Sequence, residues 1–85
     1  MYRFQGVDRV RYYLVKYYEE NNVGNSNVEL QKEYQDIAFE LGISVRTVGR
    51  SVKKLKERNE IMSNNRKIFI NKKHYQILMS KLNEG

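Results

Sequence analysis

The sequence predicts a mainly α fold with a small β wing, a winged helix-turn-helix, and three observations carry that prediction. Two short helices of apolar periodicity are separated only by Gly42-Ile43-Ser44. A further amphipathic helix precedes them, as a helix-turn-helix needs for cover. A strand–turn–strand pattern, IMSNNRKIFI at 61–70, follows the second helix directly. This order is far more specific than two helices and a turn. With 85 residues the chain can build one modest core, so a single domain over 1–85 is expected.

Proline is absent, so breaks are read from glycine, asparagine and periodicity. Residues 1–7 read as a linker stub. Residues 8–20, DRVRYYLVKYYEE, form the supporting helix, with Val10, Tyr13, Leu14 and Tyr17 on one face and Asp8 as N-cap. The run NNVGNSN, 21–27, is a loop. VELQ, 28–31, suits a short strand with Val28 and Leu30 on one side. Residues 33–41 fit a helix burying Ile37, Ala38 and Leu41, ended by Gly42. Ser44 caps the next helix, which runs to about Asn59 with Val48, Val52 and Leu55 as its buried stripe. These two helices make the helix-turn-helix, 33–59. The wing, 61–70, is expected to turn at Asn64-Asn65, because asparagine tolerates left-handed backbone. Asn71 caps a C-terminal helix, 71–83, with Tyr75, Leu78, Met79 and Leu82 inward.

Composition excludes several chemistries. The chain has no cysteine and a single histidine, His74, which rules out thiolate and multi-histidine metal sites. No Ser/His/Asp set, glycine-rich phosphate loop or paired-carboxylate cleft is present, so neither an enzyme nor a cofactor is expected. His74 reads as a helix-surface residue. No apolar run approaches the roughly 20 residues of a membrane span, and the first ten residues lack a signal-peptide core. A cytoplasmic location follows by default. The crowded Tyr12, Tyr13, Tyr17 and Tyr18 read as core plus a domain contact.

Net charge is +6, but it is polarised along the chain. Residues 1–43 carry five basic and seven acidic side chains; residues 44–85 carry eleven basic and three acidic. The basic half begins where the second motif helix begins. On that helix Arg46, Arg50 and Lys53 lie opposite the apolar stripe at about 100° per residue. A basic half suits either a polyanion or a plain solvated surface. In a helix-turn-helix the second helix enters the DNA major groove, with its N-terminal residues facing base edges. Arginine there can bind guanine O6 and N7 bidentately, while Lys53, a turn further on, suits a phosphate.

The string ISVRTVGRSVKKLKERNEIMSNNRKIFI resembles the DNA-binding region of Crp/Fnr-type transcription regulators. The resemblance rests on Gly42, Ile43 and Ser44, two variable positions, then Thr47, Val48, Gly49 and Arg50, and it spans roughly residues 7–70. It implies sequence-specific binding of double-stranded DNA by helix 45–59. It also implies that Arg50 reads guanine, that Ser44 and Thr47 place hydroxyls near phosphates, and that Asn64, Asn65 and Arg66 form the wing tip. The base-reading set is therefore expected to be Val45, Arg46, Gly49 and Arg50. The phosphate set is expected to be Lys32, Ser44, Thr47, Lys53, Lys54, Asn64, Asn65, Arg66 and Lys67.

Two departures bear on this. Arg46 stands where the family often has glutamate, so a family operator is not carried over. Glu33 stands where the family has threonine opening the first motif helix, leaving Lys32 as a stand-in for that phosphate clamp. Such regulators also carry a sensor domain and a long dimerisation helix. This chain is expected to be their C-terminal domain, with MYRFQG as linker stub; a naturally short protein is the alternative. The regulator is expected to be a dimer and the isolated domain mainly a monomer. A protein-interaction module on the same fold, without sequence-specific DNA binding, is the competing function.

Overall fold

The computed structural model describes residues 6–24 and 27–84. Four helices and a three-stranded antiparallel sheet follow in the order α1 (Gly6–Asn21), β1 (Val28–Glu29), α2 (Tyr34–Leu41), α3 (Val45–Glu57), β2 (Met62–Asn64), β3 (Lys67–Ile70) and α4 (Lys72–Asn83). No helix among the described residues is long and apolar enough to cross a membrane.

Local chemistry sets most of these boundaries. Gly42 closes α2 at φ 68°, a left-handed conformation that glycine adopts without Cβ strain. The N–H groups of Ile43 and Gly42 then return to the carbonyls of Ala38 and Phe39 in a Schellman closure. Ser44 caps α3, its Oγ accepting the Thr47 N–H at 3.0 Å. The end of α3 repeats the Schellman geometry without glycine: Asn59 takes φ 58°, and the Glu60 N–H reaches the Leu55 carbonyl. Helix α3 therefore stops at Glu57, two residues before the expected Asn59.

Asn71 caps α4 as expected, but His74 is not a plain surface residue. The Asn71 side chain accepts the His74 N–H at 2.8 Å, and His74 Nδ1 accepts the Asn71 N–H at 3.2 Å. Reciprocal bonds of this kind make a capping box, which half-buries the imidazole.

The sheet joins segments that sequence reading kept apart. Its order is β1-β3-β2, with Val28 opposite Ile70 and Ser63 opposite Ile68. The Leu30 N–H extends the first pairing to the Ile68 carbonyl at 3.0 Å. Strand β3 is therefore central, and its Ile68 and Ile70 point into the core. The wing turn lies one residue later than expected. Asn64 still pairs with Lys67, and the left-handed residues are Asn65 (φ 52°) and Arg66 (φ 64°).

Helix α1 lies at the centre, packing on α2, α3 and α4. Val10, Leu14, Ile37, Val48, Leu55 and Leu78 are fully buried around it. A helix with three neighbours needs more than one apolar face, which accounts for its tyrosines. Tyr18 is buried and stacks on Tyr75 of α4, 4.8 Å between centroids. Tyr13 donates to Glu40 of α2, and Tyr17 accepts the Gln31 N–H. Only Tyr12 of the four faces solvent.

The expected N-cap, Asp8, is instead inside α1. Residues 1–5 of the expected stub lie outside the described residues, while Gly6 and Val7 already belong to the helix. The Asp8 carboxylate accepts from Arg11 Nη1 at 2.8 Å. Arg11 also forks onto Glu60, Nε to Oε1 at 2.8 Å and Nη2 to Oε2 at 3.0 Å. All three residues are buried, Glu60 completely. The two hydrogen bonds to Glu60, with its charge and that of Asp8, outweigh desolvation and raise the Arg11 pKa above its ordinary value. The cluster ties α1 to the chain leaving α3, and so fixes how α3 is presented.

Candidate nucleic-acid interface

Helix α3 presents its basic side outward because its opposite side is consumed by the core. Val48, Ser51, Val52 and Leu55 are buried, while Arg46, Arg50, Lys53 and Lys54 are exposed. A 13-residue helix is about 20 Å long, close to the domain's shortest extent of 23 Å. Among the described residues no carboxylate forms an ion pair with any of those four cations. Of the other cations expected at phosphates, Lys32 pairs with Glu40 at 3.6 Å, and Lys67 with Glu29 at 3.7 Å. Both pairs are exposed, and such contacts contribute little and exchange readily with another anion.

The start of α3 is a small polar cluster. Ser44 Oγ and Thr47 Oγ1 share a hydrogen bond at 2.9 Å. Val45 stands exposed beside them. Gly49 is half-exposed, and a Cβ there would meet nothing within 4 Å. Thr47 is half-buried because α1 comes close to it: a Cβ on Gly6 would lie only 2.7 Å from Thr47 Cγ2. Gly6 thus permits an approach that no larger residue permits without displacement. Sequence reading did not single it out, since nothing near it in the chain signals that contact.

Nine of the thirteen expected site residues line two clefts. One, of about 570 Å³, lies between the wing turn, the β1–α2 connection and the first residue of α3, and holds Lys32, Val45, Asn65, Arg66 and Lys67. The other, of about 470 Å³, lies between the start of α1 and α3, and holds Thr47, Arg50, Lys53 and Lys54. Arg46, Ser44, Gly49 and Asn64 line neither cleft; Arg46 projects freely and Asn64 is held in the β2–β3 pairing. One residue of the first cleft had no signal in the sequence. Tyr34 opens α2, and the Arg66 guanidinium lies 5.2 Å from its ring centroid. Its partner is distant in sequence, so periodicity carried no trace of it.

The opposite end of the charge scale is on α2. Glu33, Asp36 and Glu40 are exposed, and Phe39 projects among them at 81% exposure. The basic and acidic surfaces therefore belong to different helices of the same pair. Among the described residues no group of three or more His, Asp or Glu side chains is placed to hold a metal ion. No protein-family model matches the chain, and no curated protein matches it in sequence.

Proposed function

We propose that the chain is a winged helix-turn-helix DNA-binding domain of the kind found in Crp/Fnr-type transcription regulators. Helices α2 and α3 form the motif, β2–β3 the wing, and α3 is the major-groove reader. The single observation carrying this reading is the outward face of α3, with its arginines and lysines unpaired among the described residues. A helix of that charge, capped at a three-residue turn and flanked by a strand pair, has the shape and sign a major groove accepts.

In this reading Arg46 and Arg50 face base edges with Val45 and Gly49. Lys53, Lys54, Ser44, Thr47 and the wing residues Asn64 to Lys67 lie along the phosphates, with Lys32 beyond them. The domain works as one half of a dimer in the full regulator and is mainly monomeric alone. Such a regulator acts in the cytoplasm.

The test is selection from randomised duplexes followed by a salt titration on the winner and on mixed-sequence DNA. The expected result is an enriched motif and a log K against log[salt] slope of about −0.9 per neutralised phosphate. Salt-independent or absent binding would remove the reading. The second reading, a protein-interaction module, is favoured by one specific observation: Phe39 exposed on the acidic side of α2. It predicts that no duplex motif is enriched in the selection and that Phe39→Ala abolishes association with a protein partner.

A further inference from the structure

The start of α2 is built to reject the ligand that helix starts usually attract. A helix N-terminus favours phosphate because its first N–H groups lack partners and its dipole is positive there. Here two carboxylates, Glu33 and Asp36, occupy that end, and Asp36 Oδ2 accepts the Glu33 N–H at 3.0 Å. The adjacent Lys32 is turned toward Glu40. Positive charge nevertheless reaches the same place from 32 residues further along the chain. Arg66 leaves the wing turn and lies over the ring of Tyr34, within the roughly 6 Å of a cation–π contact.

Arg66 also occupies a backbone position where arginine is disfavoured. Its φ of 64° is one that glycine or asparagine adopts at lower cost. Strained backbone of this kind clusters at ligand-binding positions. Seating a long side chain in advance also removes rotamer freedom that binding would otherwise have to freeze.

We propose that Tyr34 is a positioning residue for DNA binding. Its ring holds the Arg66 guanidinium at the mouth of the cleft between the wing and α2. There the guanidinium takes the backbone phosphate that the carboxylate-capped α2 terminus turns away. The assignment rests on the DNA-binding reading above.

The experiment is a salt titration, by fluorescence anisotropy, of the selected duplex against the parent domain and the variants Tyr34→Phe, Tyr34→Leu, Arg66→Gln and the double Tyr34→Leu/Arg66→Gln. Tyr34→Phe keeps the ring and should bind like the parent. Tyr34→Leu should weaken binding roughly two- to fivefold, the loss of one exposed cation–π contact. Arg66→Gln should lower the salt slope by about 0.9, and Tyr34→Leu should then add nothing further. An equal loss from Tyr34→Leu in both backgrounds, or none in either, overturns the inference and leaves the DNA-binding reading standing. A parent that binds no duplex overturns both. If Tyr34→Leu does not fold, the Arg66 Nε–H proton resonance of the free parent decides. An upfield ring-current shift supports the seating, and a random-coil position overturns it.

Discussion

Removing the Glu60 carboxylate should be the most damaging single change outside the apolar core. Glu60 is fully buried and accepts two N–H groups of Arg11, at 2.8 and 3.0 Å. Glu60→Ala leaves the guanidinium buried with only Asp8, which takes one N–H at 2.8 Å. Breaking one side of a buried ion pair costs about 3–5 kcal/mol, because the remaining charge keeps its desolvation penalty. A chain of 85 residues has roughly 4–13 kcal/mol of total stability. The loss is thus about a quarter of the total or more, and corresponds to a Tm drop on the order of 20 °C for a domain this size. Urea unfolding followed by circular dichroism, with parent and variant at the same pH, measures it directly. The companion is Asp8→Asn/Arg11→Met/Glu60→Leu, which removes all three charges and should retain most of the parent stability. A Glu60→Ala loss below about 1 kcal/mol would refute the reasoning, since the fork would then contribute no more than an exposed pair.

Gly42→Val should destabilise by about 1–2 kcal/mol through the left-handed backbone alone, since a Cβ there meets nothing within 4 Å. Gly42→Asn should recover much of that loss in a thermal melt, and equal melts for parent and Gly42→Val would remove the turn argument. His74 has its pKa lowered by burial and then by Lys73. A depressed histidine contributes stability that is complete above its ordinary pKa of about 6.5 and is lost as pH falls toward the folded value. Protonation also removes the Nδ1 acceptor of the capping box. The stability difference between parent and His74→Gln should therefore shift against the parent between pH 7.5 and 5.5, read from urea midpoints; a pH-independent difference would refute it. Arg50→Ala should weaken specific DNA binding by roughly 1–3 kcal/mol while nonspecific binding changes little. Equal losses on both duplexes would make Arg50 a phosphate contact.

The sequence by itself determined what depends on neighbours within about one helical turn. Ser44, Gly42 and Asn71 each act on backbone groups three or four residues away, so their caps and closures were legible before any tertiary contact. The 3.6-residue period placed Val48, Val52 and Leu55 inside, and by exclusion Arg46, Arg50 and Lys53 outside. Where local signals competed, the chain alone could not arbitrate. Asp8 has the chemistry of an N-cap and was drawn into the helix by Arg11 and the buried Glu60, 49 residues beyond Arg11. Asn64 and Asn65 both suit a left-handed turn, and the pairing of Asn64 with Lys67 moved the turn to Asn65-Arg66. The pairing of the 28–29 strand with β3, the stacking of Tyr18 on Tyr75 and the seating of Arg66 on Tyr34 have no local signature at all. Each joins residues whose approach depends on how the whole chain closes, and only the folded core fixes that closure. The basic helix was therefore readable from sequence, whereas the buried ion cluster and the wing seating around it were decided by tertiary structure.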